Sequence, residues 1–162
     1  MNSIQAQPTA NAVAAPRIVP FKMAHIVMRC AHRKASVDWY TALFQAELVF
    51  EDEVLTFLAY DEEHHRLAFF NMPGLAAQVD EMAGVHHVAY SYLSIGDLLS
   101  TYDRLSKLGI QPVWTINHGP TTSFYYRDPE RNLVELQVDN YPDQADAAAF
   151  FHSETFAANP IG

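Results

Sequence analysis

The chain has 162 residues, a length for one domain or two small modules sharing a core. With 49% hydrophobic and 18% charged residues it should pack as a globule, and its formal net charge of -9 excludes a phosphate backbone as main partner. Cys30 is the only cysteine, which excludes a disulfide framework or thiolate cluster and fits a reducing cytoplasm.

Residues 1–20 are rich in Ala, Pro, Asn and Gln, without the continuous apolar stretch of a signal or membrane span; a flexible arm is expected. A first module spans 22–72. It opens with a strand over 23–29, followed by a helix over 36–44 with Ser36 as N-cap and Trp39, Tyr40, Leu43 and Phe44 at helical spacing. Strands follow over 46–51, 54–60 and 65–71, and the Pro- and Gly-bearing stretch 73–83 reads as a linker.

A second module, 84–139, repeats the order. Its strand covers 85–92, and its helix begins at Ser94 with Asp97 as the capping-box acid. Leu98, Tyr102, Leu105 and Leu108 form the buried stripe, and Gly109 ends the helix. Strands over 111–116, 121–127 and 132–138 complete it. Two β-α-β-β-β halves give an α+β fold, a cupped mixed sheet or half-open barrel. Each half alone would be marginal, because domains of this size bury little apolar surface. The domain closes near residue 141, and the tail 142–162 is expected to pack on or near the pocket through Phe150, Phe151 and Phe156.

His25 and His87 occupy matching strands of the two halves, and Glu135 lies inside the run Leu133-Val134-Glu135-Leu136. A lone strand histidine is most often a satisfied core residue. The repetition, together with an acid that is costly to bury unpaired, favours a metal held by two histidines and a carboxylate. Strand alternation also leaves Glu135 a solvent face, shared with Leu133 and Gln137.

Of the pair His64-His65, one ring should point inward, where it could act as general acid or base; a solvated turn has equal standing. His118 lies in a loop, either lining the pocket or marking a turn. Tyr125 is either core or an inward hydroxyl that bonds an oxyanion. His32 and His152 read as surface or packing residues, and Phe69, Phe124 and Trp114 as pocket walls.

The modules resemble the vicinal oxygen chelate superfamily, and more closely the catalytic half of type I extradiol catechol dioxygenases. The resemblance covers about residues 23–138. It rests on the run His25-Ile26-Val27-Met28-Arg29-Cys30, on Trp39-Tyr40, on Glu63-His64-His65-Arg66-Leu67-Ala68, on Val85-His86-His87, and on Ser123-Phe124-Tyr125 before the Glu135 strand. It implies Fe(II) held by His25, His87 and Glu135, a ligand set that suits Mn(II) as well. It also implies His65 as the acid/base, Tyr125 as the hydrogen-bond partner of the catecholate, and His118, with Asn117 in the same loop, as a nearby helper. Aligning the two first strands selects His87 over His86.

The activity implied is cleavage of a catechol ring beside the diol, with both atoms of O2 incorporated. Partners are then the catechol and O2, with neither nucleic acid nor membrane, and a homo-oligomer is expected. Aligning Asp61 with Asp128 sets Ala68 opposite Glu135, so a fourth protein ligand is missing. A glyoxalase-type lyase or isomerase would need one. A metal-free small-molecule (antibiotic) binding protein of the same fold would need no triad.

Overall fold

Alternating hydrophobicity in short runs, twice interrupted by an amphipathic helix, produces two four-stranded sheets, each backed by one helix. The computed structural model describes residues 17–160 apart from Ala77 and Glu81, so most of the expected N-terminal arm and the last two residues lie outside the described residues.

In the first half, β1 (Ile26–Cys30), α1 (Arg33–Phe44), β2 (Glu47–Glu51), β3 (Leu55–Ala59) and β4 (Leu67–Asn71) form a sheet of order β1-β4-β3-β2. The second half repeats this with β5 (His87–Tyr92), α2 (Ile95–Lys107), β6 (Trp114–Asn117), β7 (Thr121–Arg127) and β8 (Leu133–Asp139), in order β5-β8-β7-β6. In each, the first strand runs parallel to the last because the helix carries the chain back across the sheet.

A single core joins the helix-side faces of both sheets. Met28, Cys30, Leu58, Leu67 and Phe69 from one half meet Leu98, Leu105, Tyr126, Val134 and Leu136 from the other. Arg104 of α2 donates to the carbonyls of Ala42 and Leu43 at the end of α1, with the Leu43 contact at 2.9 Å. The turn between β7 and β8 docks on α1: Tyr40 Oη donates to Asp128 at 3.1 Å, and Glu130 accepts the His32 N–H at 2.5 Å.

That docking explains one departure from expectation. Helix α1 begins at Arg33 behind His32, and Ser36 is an interior, fully buried helical residue rather than the cap. The contact that His32 receives from Glu130 comes from the other half of the chain and has no local signature. In α2 the Ser94 cap forms as expected, accepting from Asp97 N–H at 3.1 Å, and Gly109 follows the helix at φ +77. The buried stripe is Leu98, Thr101 and Leu105, while Leu108 stands 60% exposed. Leu108 is the C-cap, where the chain leaves the helical path and the 3.6-residue period no longer applies.

The tail forms α3 (Gln144–Phe150) and α4 (Glu154–Ala158). Phe150 packs on Gly119, so closely that a Cβ there would come within 2.3 Å of the ring, while Phe151 is exposed. Among the described residues no helix is long and apolar enough to cross a membrane.

Candidate active site

Met28 and Cys30 point into the core, so Val27 and Arg29, and His25 in line with them, lie on the face of the first sheet away from α1. By the same alternation Val88 and Tyr90 turn toward the helix side, and His87 and Ala89 lie on the opposite face of the second sheet. The registers make the two faces directly comparable. Val27 pairs with Ala68 and Ala68 with Phe57, while Ala89 pairs with Glu135 and Glu135 with Tyr125. Outermost, Phe50 meets Phe57 and Trp114 meets Tyr125. Ala68 therefore holds in β4 the position that Glu135 holds in β8.

The second sheet assembles a polar cluster on this face. Glu135, only 4% exposed, lies 3.0 Å from Nε2 of His87. Tyr125 is buried beside them, its ring edge-on to His87 and stacked on Trp114. Its hydroxyl shares a 3.0 Å hydrogen bond with Nε2 of His118. Burial, and next the nearby Glu135 charge, push the Tyr125 hydroxyl well above its ordinary pKa, so it stays protonated and can donate. The exposed ring of His86 lies alongside, Nδ1 to Nδ1 at 2.7 Å from His87.

The first sheet places its histidines differently. His25 precedes β1 and is exposed, its ring stacked on His65 at a centroid distance of 4.6 Å. His65 in turn stacks on Phe57 at 4.4 Å, and His64 points to solvent. Burial, then the neighbouring His25 and His64, hold His65 below its ordinary pKa, which keeps it neutral and able to accept a proton near neutral pH.

The turn that carries His118 is fixed by Asn140. Its side chain donates to the Gly119 carbonyl at 2.8 Å and to Asn117 Oδ1 at 3.2 Å, and accepts from Thr122 at 2.9 Å. This clamp lacks a sequence signal beyond an Asn after a strand, so sequence reasoning misses it. Phe69 and Phe124, expected as pocket walls, belong to the helix-side core or pack against it, one register position from the open face; Trp114 does lie on that face.

The structure thus brings together His87, Glu135, Tyr125 and His118, and separately His25 with His65. Among the described residues no three His, Cys, Asp or Glu side chains converge tightly enough to hold a metal ion. His25 precedes the first strand of one sheet and His87 opens the first strand of the other, and these two strands share no ladder. A cavity of about 630 Å³ runs along their seam, lined in part by Val27, Arg29, His86 and His87. The donor set nevertheless fits a divalent metal in its chemistry. A buried carboxylate and an imidazole nitrogen already face each other at 3.0 Å, and His25, expected as the third donor, presents an exposed imidazole on the matching face.

A family model for the Glyoxalase/Bleomycin resistance protein/Dioxygenase superfamily matches residues 22–136. The chain is 42% identical over 142 residues to biphenyl-2,3-diol 1,2-dioxygenase 2 of Rhodococcus globerulus, covering 87% of this chain and 75% of that protein. It is 38% identical over 143 residues to biphenyl-2,3-diol 1,2-dioxygenase 3 of the same organism, with the same shares. Among solved structures, a glyoxylase/bleomycin resistance protein/dioxygenase domain from Frankia sp. EAN1pec superposes with TM-score 0.63 at 16% identity, covering 75% of this chain and 100% of that one. A lactoylglutathione lyase from Agrobacterium tumefaciens gives TM-score 0.59 at 19% identity, covering 74% and 94%. At these identities the structural likenesses speak for the fold alone. The family model and the two Rhodococcus relatives go further: the chain belongs to the glyoxalase/bleomycin resistance protein/dioxygenase superfamily.

Proposed function

We propose that the protein is an extradiol dioxygenase, opening a catechol ring beside its diol with O2 and non-haem Fe(II) held by His25, His87 and Glu135. The observation that carries this reading is the pairing of buried Glu135 with His87 and the Tyr125–His118 hydrogen bond beside it, in a chain 42% identical to a biphenyl-2,3-diol 1,2-dioxygenase. Iron, when bound, supplies chelation of the two catechol oxygens and activation of dioxygen; Mn(II) suits the same donors.

The chain's own residues select and orient the substrate and move its protons. Tyr125, kept protonated by burial, donates to the deprotonated phenolic oxygen, and His118 fixes the direction of that hydroxyl. His65, held neutral between Phe57 and His25, accepts a catechol proton and returns it to the product. Trp114 stacks on Tyr125 and shields the cluster from water on its outer side. Ala68 in the place of a fourth ligand argues against a glyoxalase-type lyase, because a methyl group cannot bind metal.

The homo-oligomer belongs to this proposal, supported by edge strand β2 with Leu48, Val49 and Phe50 exposed. So does a reducing cytoplasm, supported by a lone, buried, unpaired cysteine. The test is anaerobic reconstitution with Fe(II), then addition of 2,3-dihydroxybiphenyl, and of several other catechols in turn, with air. A yellow ring-fission product that is lost in His65→Ala and reduced in Tyr125→Phe is expected. A folded protein that binds divalent metal tightly but turns over no catechol would overturn the reading in favour of a lyase.

A further inference from the structure

We infer that Arg66 is a positioning residue that sets His25 in place for metal binding, an inference resting on the reading of His25 as a ligand. The two proposed histidine ligands are supported unequally. His87 is the first residue of β5 and pairs with Leu133 of β8. At the equivalent register in the first sheet, His25 stands opposite Arg66, but β1 and β4 begin one residue later, with Ile26 paired to Leu67. The ladder therefore reaches His25 only through the Ile26 N–H, which donates to the Arg66 carbonyl at 3.0 Å. An exposed residue at a frayed strand end has little to hold it.

The Arg66 side chain supplies what the ladder lacks. Its Nη1 donates to the carbonyls of Met23 at 2.6 Å and Ala24 at 3.1 Å, the two residues before His25. Its Nε donates to both carboxylate oxygens of Asp61, at 3.1 and 2.9 Å, which anchors the guanidinium to the β3–β4 turn. Glu63, 3.9 Å from Arg66, pairs with Lys22 and ties the incoming chain to the same turn. Arg66 also follows His65 directly, and its own N–H donates to the Leu58 carbonyl at 2.9 Å. One residue thus fixes, through main chain on one side and side chain on the other, the stack of His25 on His65. Leu133, its counterpart in the second half, has no polar side-chain atom, and His87 already lies within a ladder.

The planar fork matters here: two carbonyls and a carboxylate are engaged at once, a geometry that an ammonium group cannot reproduce. The test is Mn(II) binding to the full chain, followed by the EPR signal of free Mn(II), with thermal melting of the metal-free protein measured in parallel. Arg66→Gln should raise the Mn(II) Kd by about tenfold or more, the scale for residues that orient a ligand, with melting little changed. Arg66→Lys should recover part of that loss. Asp61→Asn, which loosens the guanidinium without removing it, should fall between and serves if Arg66→Gln folds poorly. His25→Ala sets the scale. Unchanged Kd in both Arg66→Gln and Asp61→Asn, with weakened binding in His25→Ala, overturns the role of Arg66. Unchanged Kd in His25→Ala overturns the ligand reading instead. A lowered melting temperature with wild-type Kd in the folded fraction overturns positioning in favour of a purely structural role.

Discussion

Replacing Tyr40 with Phe tests the bolt between the two halves, because it deletes one hydroxyl and leaves the ring among Trp39, Phe44 and Phe69. That hydroxyl donates to Asp128, which is 5% exposed and accepts three further hydrogen bonds, from the N–H groups of Glu130 and Asn132 and the Asn132 amide. A hydrogen bond to an ionised group contributes about 1.5–3 kcal/mol, and one between neutral partners about 0.5–1.5 kcal/mol. Burial raises the Asp128 pKa above the ordinary carboxylate value, while its hydrogen bonds, Tyr40's among them, lower it. A carboxyl whose folded pKa is raised stabilises the fold at low pH and loses that contribution as pH rises through the folded value. Tyr40 offsets part of that loss by bonding to the ionised form. Tyr40→Phe should therefore cost about 1.5–3 kcal/mol near neutral pH, lowering Tm by roughly 2–4 °C per kcal/mol. The cost should shrink toward the neutral-partner range as pH falls through the raised Asp128 pKa. Urea unfolding from pH 8 to the acid limit of the fold measures both. A penalty independent of pH, or below about 0.5 kcal/mol at neutral pH, would refute this account of Asp128.

Glu135→Gln keeps the volume of a buried residue and removes its charge, so Mn(II) affinity should drop at least roughly tenfold in a folded protein; retained affinity would exclude Glu135 as a ligand. Burial pushes the Cys30 thiol up to about 11, leaving about one part in a thousand as thiolate at pH 8, so a disulfide reagent should label it only after unfolding. Asn140→Ala releases the turn bearing His118 while leaving the core intact, and should lower kcat/KM on 2,3-dihydroxybiphenyl roughly tenfold with little change in Tm. Ser94→Ala removes the α2 cap and should cost about 1 kcal/mol in urea unfolding without affecting metal binding.

The β-α-β-β-β repeat was legible because each element carries its own local signal. Strand β7 spans Thr121–Arg127, the range its alternation predicts, and α2 starts behind Ser94 as its capping box requires. What escaped depends on contacts between the halves or on parity. The start of α1 is set with help from Glu130, 98 positions from His32. Phe69 and Phe124 stand on the helix side and not on the open face; an apolar run does not reveal which of its two faces meets the helix, and a one-residue slip exchanges them. Glu135 could be singled out, since an acid within an apolar strand is costly without a partner, but its 3.0 Å approach to His87 follows from the parallel β5–β8 register. The clamps made by Arg66 and Asn140 rest on side-chain-to-carbonyl bonds, which hydrophobic patterning does not encode.

The two halves differ along corresponding rows on their open faces. In the second, the sequence from edge to seam is Trp114, Tyr125, Glu135 and Ala89; in the first it is Phe50, Phe57, Ala68 and Val27. The hydroxyl and the carboxylate sit in one row, and at the same positions the other carries a phenyl ring and a methyl group. The first half compensates at its strand ends, where His65 stacks on Phe57 and His25 on His65. Polar side chains there lie off the ladder, on residues held by stacking and by the Arg66 guanidinium. This asymmetry has a physical cost and a physical use. In the proposed metal site, a side chain on a ladder is rigid without help, whereas one just beyond a strand end needs a clamp such as the one Asp61 and Arg66 provide. In exchange, the Ala68 position itself carries only a methyl group, with Arg29 the charged neighbour on the same face. In the proposed reaction, that leaves room beside the metal for a substrate with two oxygens and for dioxygen, room that a second buried carboxylate at Ala68 would fill.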